Sequence, residues 1–143
     1  MGIVERVAEV LGGRPVLQSN IRTWADLERV VSAGLPKRSL QLLARRAVGP
    51  GRPVNAFVYS IVPPATFKRR NRLSAGESER TERLARVVAL AEALWGDESA
   101  TRGFLNRPHL LLDDHSPLEV ARTELCARRV ERLLHDIEHG LPL

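Results

Sequence analysis

SAGESERTERLARVVALAEALWGD, Ser74–Asp97, is the longest uninterrupted helix signal in the chain. Ser74 with Glu77 three residues on makes a capping box: the hydroxyl accepts from an otherwise orphaned amide, and the carboxylate reaches back to the cap's own N–H. Glu77, Glu79 and Glu82 place negative charge at the positive end of the helix dipole. Leu84, Val87, Val88, Ala91, Leu94 and Trp95 recur at i, i+3, i+4, i+7, i+10 and i+11, one apolar face at helical period. Gly96 supplies the stop. Such a helix is the spine of a domain, and its other face, Glu79, Arg83, Arg86 and Glu92 among it, is the one left for a partner.

Upstream, Ile3–Leu11 has helical spacing and breaks at Gly12-Gly13. Thr23 with Asp26 opens a second helix whose buried face is Trp24, Leu27, Val30 and Val31, closed by Gly34. Pro36 stands at the first position of a third, which turns Leu40, Leu43, Ala44 and Ala47 inward and Lys37, Arg38, Arg45 and Arg46 to water. Residues 49–53, GPGRP, form a turn. Val54–Ile61 is rich in strand formers, yet an isolated strand would have no partner, so a short helix is expected. Pro63-Pro64 then precedes the basic segment Ala65–Arg72. Two helices joined by a tight turn, the second carrying Thr66, Lys68, Arg69, Arg70 and Arg72, have the outline of a helix-turn-helix. Those cations suit phosphates or guanine edges, with Phe67 and Leu73 as anchors to the core; the plainer reading is a solvated basic linker.

Downstream, Asp97 caps Glu98–Leu105, with Ala100, Phe104 and Leu105 inward, and Pro108 breaks it. Leu110–Leu112 is an apolar connector. Ser116, Pro117 and Glu119 form a second capping box, and Thr123 caps a last helix whose buried face is Leu125, Ala127, Val130, Leu133, Leu134 and Ile137. The fold expected is all-α: residues 1–72 hold the N-terminal helices with a repressor-like helix-turn-helix, and residues 73–143 form a small bundle of about four helices.

Composition agrees. Aromatics are 4% of the chain against 43% hydrophobic residues, so the core is built from Leu, Val and Ala, which favours helices. The single cysteine, Cys126, excludes an internal disulfide, and no run approaches the roughly 18 apolar residues of a membrane span. A soluble protein of the cytoplasm is expected. The net charge of +5 conceals a split: residues 1–72 hold 13 Lys and Arg against 4 Asp and Glu, and residues 73–143 hold 9 against 13. A basic half suits a polyanion, whereas an acidic half is freer to meet a protein.

Catalytic patterns are scarce. His135-Asp136-Ile137-Glu138-His139 fits the H-x-x-E-H string of inverted zinc peptidases, but such a site needs a third protein ligand and only four residues follow. His and Glu at a helix end are ordinary surface residues. His109 and His115 have no ligand-spaced neighbours, and Cys126 reads as a small buried thiol. With no phosphate-cradling glycine motif and no G-x-S-x-G, the chain is expected to be no enzyme and to hold no cofactor or metal.

The ordered run GESER…LARVVALAEALWGD…FLNRP…SPLEVARTE…VERLLHDIEHG, over residues 76–140, resembles the C-terminal domain of the MbcA/ParS/Xre antitoxins, partners of RES-domain toxins. GLPKRSLQLL and PPATFKRRNR resemble the family's N-terminal helix-turn-helix. The resemblance implies an antitoxin that covers the active site of an NAD-consuming or ADP-ribosylating toxin and represses its own operon as a homodimer. It places the toxin-binding domain after residue 73, the chain end Glu138, His139, Gly140, Leu141, Pro142 and Leu143 near the toxin's NAD pocket, and operator DNA on residues 36–72. Two departures stand out: the helix-turn-helix is unusually rich in proline and glycine, and Trp95 replaces a phenylalanine. The rival reading is a stand-alone helix-turn-helix regulator whose C-terminal bundle only dimerises.

Overall fold

Both halves of the capping box at Ser74 close. Glu77 N–H donates to Ser74 Oγ at 3.1 Å and Ser74 N–H to Glu77 Oε1 at 2.8 Å. The structure is a computed structural model and describes residues 1–140. Among these it is all-α. The order is α1 (Ile3–Val10), α2 (Gly13–Leu17), α3 (Trp24–Ala33), α4 (Lys37–Val48), α5 (Arg52–Ile61), α6 (Pro64–Arg69), α7 (Ala75–Trp95), α8 (Glu98–Asn106), a 3-10 turn (Leu110–Leu112), α9 (Pro117–Val120) and α10 (Glu124–Glu138).

At 21 residues α7 is about 32 Å long, and the other helices pack around it: α1, α3, α4 and α5 from the N-terminal side, α8 and α10 from the C-terminal side. The expected apolar face is there, with Leu84, Val87, Val88 and Ala91 buried. A second buried face, Ser78, Thr81, Ala85 and Ala89, was not expected, because serine, threonine and alanine carry little apolar signal. Their small volume allows close approach, and both hydroxyls are satisfied. Ser78 Oγ accepts from Leu35 N–H at 2.9 Å, and Thr81 Oγ1 donates to the Glu77 carbonyl at 2.8 Å. One continuous cluster of buried side chains therefore runs from Val4 to Leu134.

The caps at Thr23, Asp97, Ser116 and Thr123 all form as the sequence predicts. Val54–Ile61 is helical, within α5. Helix α2 was not expected at the two glycines; Gly12 at φ 112° and Gly13 at φ 66° make the break together, and the chain then winds one further turn.

Two side chains assigned to buried faces lie outside. Trp24 is 49% exposed. It is the first residue of α3, where side chains lean back toward the helix N-terminus and so hang beyond the packed face. Leu125 is 73% exposed. At 100° per residue it stands about 160° around α10 from Ala127, on the opposite side from Val130 and Leu134.

Candidate partner-binding and nucleic-acid surfaces

The basic segment is shorter as a helix than its sequence suggests. Helix α6 ends at Arg69, Arg70 is extended, and the chain pairs through Arg72 with Pro36, just before α4. Leu73 N–H donates to the Leu35 carbonyl at 2.8 Å and Lys37 N–H to the Asn71 carbonyl at 3.3 Å. This seam decides which of the DNA-contact candidates are free. Arg72 Nη1 donates to the Gly34 carbonyl at 2.8 Å, and Arg70 Nη1 lies 3.1 Å from Glu77 Oε1. Both serve the fold. Lys68 and Arg69 are exposed and have no ion-pair partner among the described residues, while Thr66 is half-buried. Phe67 and Leu73 are buried anchors, as expected, and Lys37 Nζ sits 5.0 Å over the Phe67 ring and donates to the Phe67 carbonyl.

A second cationic surface lies where α4 meets the start of α5. Arg38, Gln41 and Arg45 on α4 and Gly51, Val54 and Asn55 at the other wall line a groove of about 270 Å³. Arg46, expected in water, points the other way and bonds Glu92 on α7 at 2.8 Å.

The polar face of α7 is not free for a partner. Arg83 and Arg86 both bond Glu124 on α10, at 3.1 and 2.9 Å, and Glu92 is held by Arg46; Glu79 alone of the four stays exposed and unbonded among the described residues. Arg86 also lies within 4 Å of Glu82 and Glu131, its Nε 3.1 Å from Glu82 Oε1 but out of line for a hydrogen bond. Burial pushes the carboxyls of Glu82 and Glu131 above the usual glutamate value, with neighbouring carboxylates adding to it. Burial also opposes charge on Glu124, but hydrogen bonds from Arg86 and Arg83 outweigh it and hold that carboxyl low. The Arg side chains thus stitch α7 to α10.

The surface beside α10 is different in kind. Leu110, 83% exposed, and Leu111, 51% exposed, project from the 3-10 turn. Leu111, with Leu125 and the stems of Arg128, Arg129 and Arg132, edges a shallow apolar groove of about 400 Å³. Exposed leucines beside such a groove are the kind of surface that marks a protein contact. The helical wheel reveals Leu125; nothing in the sequence distinguishes Leu110 and Leu111 from core residues.

At the end of α10, Glu138, His139 and Gly140 are exposed. The His135 and His139 rings lie 4.1 Å apart, and His139 Nδ1 is 2.9 Å from the His135 carbonyl, so that both imidazoles are engaged with each other and the helix end. Leu141, Pro142 and Leu143 lie outside the described residues. No three His, Cys, Asp or Glu side chains among the described residues come together as a metal cage.

These C-terminal elements coincide with a known family. Residues 90–140, from the last turns of α7 through α10, match the family described as the antitoxin Xre/MbcA/ParS C-terminal toxin-binding domain. That stretch of the chain is similar to the toxin-binding domain of these antitoxins. A curated relative, antitoxin Xre of Pseudomonas putida, is 30% identical over 87 residues, covering 58% of this chain and 55% of its own length. The chain thus spans about half the length of the curated relative it matches. The exposed leucines, the α10 end and the Arg83–Arg86–Glu124 stitch all belong to the matched segment or pack directly on it. No helix of the described residues is long and apolar enough to cross a membrane.

Proposed function

We propose that this chain neutralises a RES-domain toxin by binding it through residues 73–143, with the tail from Glu138 to Leu143 covering the NAD-using active site, and that it represses its operon by binding DNA through residues 36–72 as a homodimer. The observation that carries the reading is the match of residues 90–140 to a toxin-binding domain. The exposed leucines beside α10 support it, since an apolar patch on this segment is ready to be buried by a protein partner. The free cations Lys68 and Arg69 support the DNA part.

Co-expression with the toxin encoded beside it is the test. Protection from the toxin and co-purification are expected; neither occurring ends the toxin reading. Within it, deletion of 139–143 is expected to weaken neutralisation about tenfold or more while the stability changes by less than about 0.5 kcal/mol, because His139 and Gly140 follow the last turn of α10 and are exposed. Equal neutralisation by the truncated chain removes the tail from the active site. Leu125→Ser leaves folding stability within about 0.5 kcal/mol but lowers toxin affinity roughly fivefold or more, since it removes an apolar contact only in the complex. Unchanged affinity takes the leucine patch out of the interface.

A further inference from the structure

Between Glu28 and Glu77 the chain has no carboxylate, yet residues 35–72 carry nine Lys and Arg. The fold sorts these cations. Arg46 bonds Glu92, Arg70 bonds Glu77, Arg72 bonds the Gly34 carbonyl, and Lys37 bonds the Phe67 carbonyl beneath its cation–π contact. Five remain exposed with no partner among the described residues: Lys68 and Arg69 on α6, Arg38 and Arg45 lining the groove between α4 and α5, and Arg52, next in the chain to the lining residue Gly51. Two guanidiniums lining one groove without a counter-charge, with a third at its end, favour an anionic ligand there.

The geometry points to this α4–α5 groove as a second nucleic-acid contact, in which Arg38, Arg45 and Arg52 grip the phosphate backbone of a duplex beside the segment bound by α6. The inference rests on the DNA part of the proposed function and assigns it residues outside α6. A guanidinium presents its donors in a planar fork that matches phosphate oxygens, and the groove's other polar groups, the Gln41 and Asn55 amides, donate to phosphate or sugar as well. Helix α4, which carries Arg38 and Arg45, also touches α6: Lys37 Nζ donates to the Phe67 carbonyl at 3.1 Å. Helix α5, whose 10 residues span about 15 Å, separates the start of the groove from Pro63-Pro64 and α6, a spacing that several phosphates cover. With α6 only six residues long and two of its flanking arginines engaged in the fold, phosphate contacts elsewhere supply the affinity that α6 lacks.

The test measures binding of the full chain to a labelled duplex of arbitrary sequence, about 30 base pairs long, by fluorescence anisotropy over a potassium chloride series. The wild type, R38S/R45S/R52S, R38K/R45K/R52K and K68S/R69S are compared, with thermal unfolding of each as a check on folding. For the serine variant the slope of log affinity against log salt is expected to become shallower by about 2 to 3, at roughly 0.9 per lost phosphate contact, and the lysine variant to keep most of the slope. A wild-type slope in R38S/R45S/R52S, with a reduced one in K68S/R69S, overturns the groove and leaves DNA binding through α6 standing. A wild type that binds no duplex removes the DNA reading and the groove with it. Lost toxin co-purification in the serine variant with unchanged DNA binding also overturns the proposal, since the groove then faces a protein.

Discussion

Gly34→Ala is expected to destabilise the protein by about 3 kcal/mol, enough to lower its melting temperature by roughly 10 °C. Gly34 has φ 96° and ψ 117°, a conformation that an L side chain rarely adopts, and a Cβ there would lie 2.7 Å from the Leu73 carbonyl oxygen. That oxygen is backbone and has no rotamer in which to retreat. The site is also the seam that joins the segment before α4 to the segment before α7. The Gly34 carbonyl holds Arg72, Leu35 N–H donates to Ser78 Oγ, and Leu73 N–H donates to the Leu35 carbonyl. Relief of the clash must part this seam. Gly76→Ala is the control: it lies in the first turn of α7 with nothing within 4 Å of an added Cβ, and it should be neutral or stabilising by up to about 1 kcal/mol. Equal losses in the two variants, measured by urea unfolding, would show that the seam contributes nothing special.

Arg86→Met is expected to cost about 2 to 4 kcal/mol at pH 7 and clearly less near pH 5. Methionine keeps most of the stem's packing, so the loss is chiefly electrostatic: Glu82, Glu124 and Glu131 lose the cation they share between α7 and α10. The lower part of that range allows for Glu124 being 42% exposed and screened by water. Glu82 and Glu131 already have carboxyls raised by burial. Ionised, each penalises the folded state; the penalty is fully present above its folded pKa and is relieved as the pH falls through it. Glu124 has the opposite sign, its lowered carboxyl giving stability that is lost as the pH falls through the folded value. Without Arg86 the first two rise further and Glu124 loses its main support. The variant therefore recovers more stability than the wild type on acidification from pH 7 toward pH 5. A destabilisation independent of pH over that range would place the effect in packing rather than charge.

Local rules made much of this molecule legible. The capping pairs at Thr23, Ser74 and Ser116 are contacts between residues three apart, so the sequence contains both partners and the helix starts could be placed from it. The Leu and Val stripes of α4, α7 and α10 likewise follow from a 3.6-residue period. Where reading the stripe alone misled, the error was at a helix end or on the far side: Trp24 overhangs the start of α3, and Leu125 stands opposite the stripe it was grouped with. The second buried face of α7 escaped because Ser78 and Thr81 look polar until their hydroxyls find Leu35 and Glu77.

For the surfaces, charge counting separated a basic from an acidic half and the family motifs marked the C-terminal segment, both properties of the sequence by itself. Which charges remain available was decided only by the tertiary structure. Arg70 and Arg72 look no different from Lys68 and Arg69 in the string KRRNR, but the seam at Gly34 and the carboxylate of Glu77 engage the first pair and leave the second free. Arg83, Arg86 and Glu92 similarly leave the partner-facing set because Glu124 and Arg46, tens of residues away in sequence, reach them. The sequence determined the helices, their caps and the sign of each half, because those depend on neighbours within a few residues. The tertiary structure decided which side chains are left to bind, because an ion pair between distant residues forms only when the fold has brought both ends together.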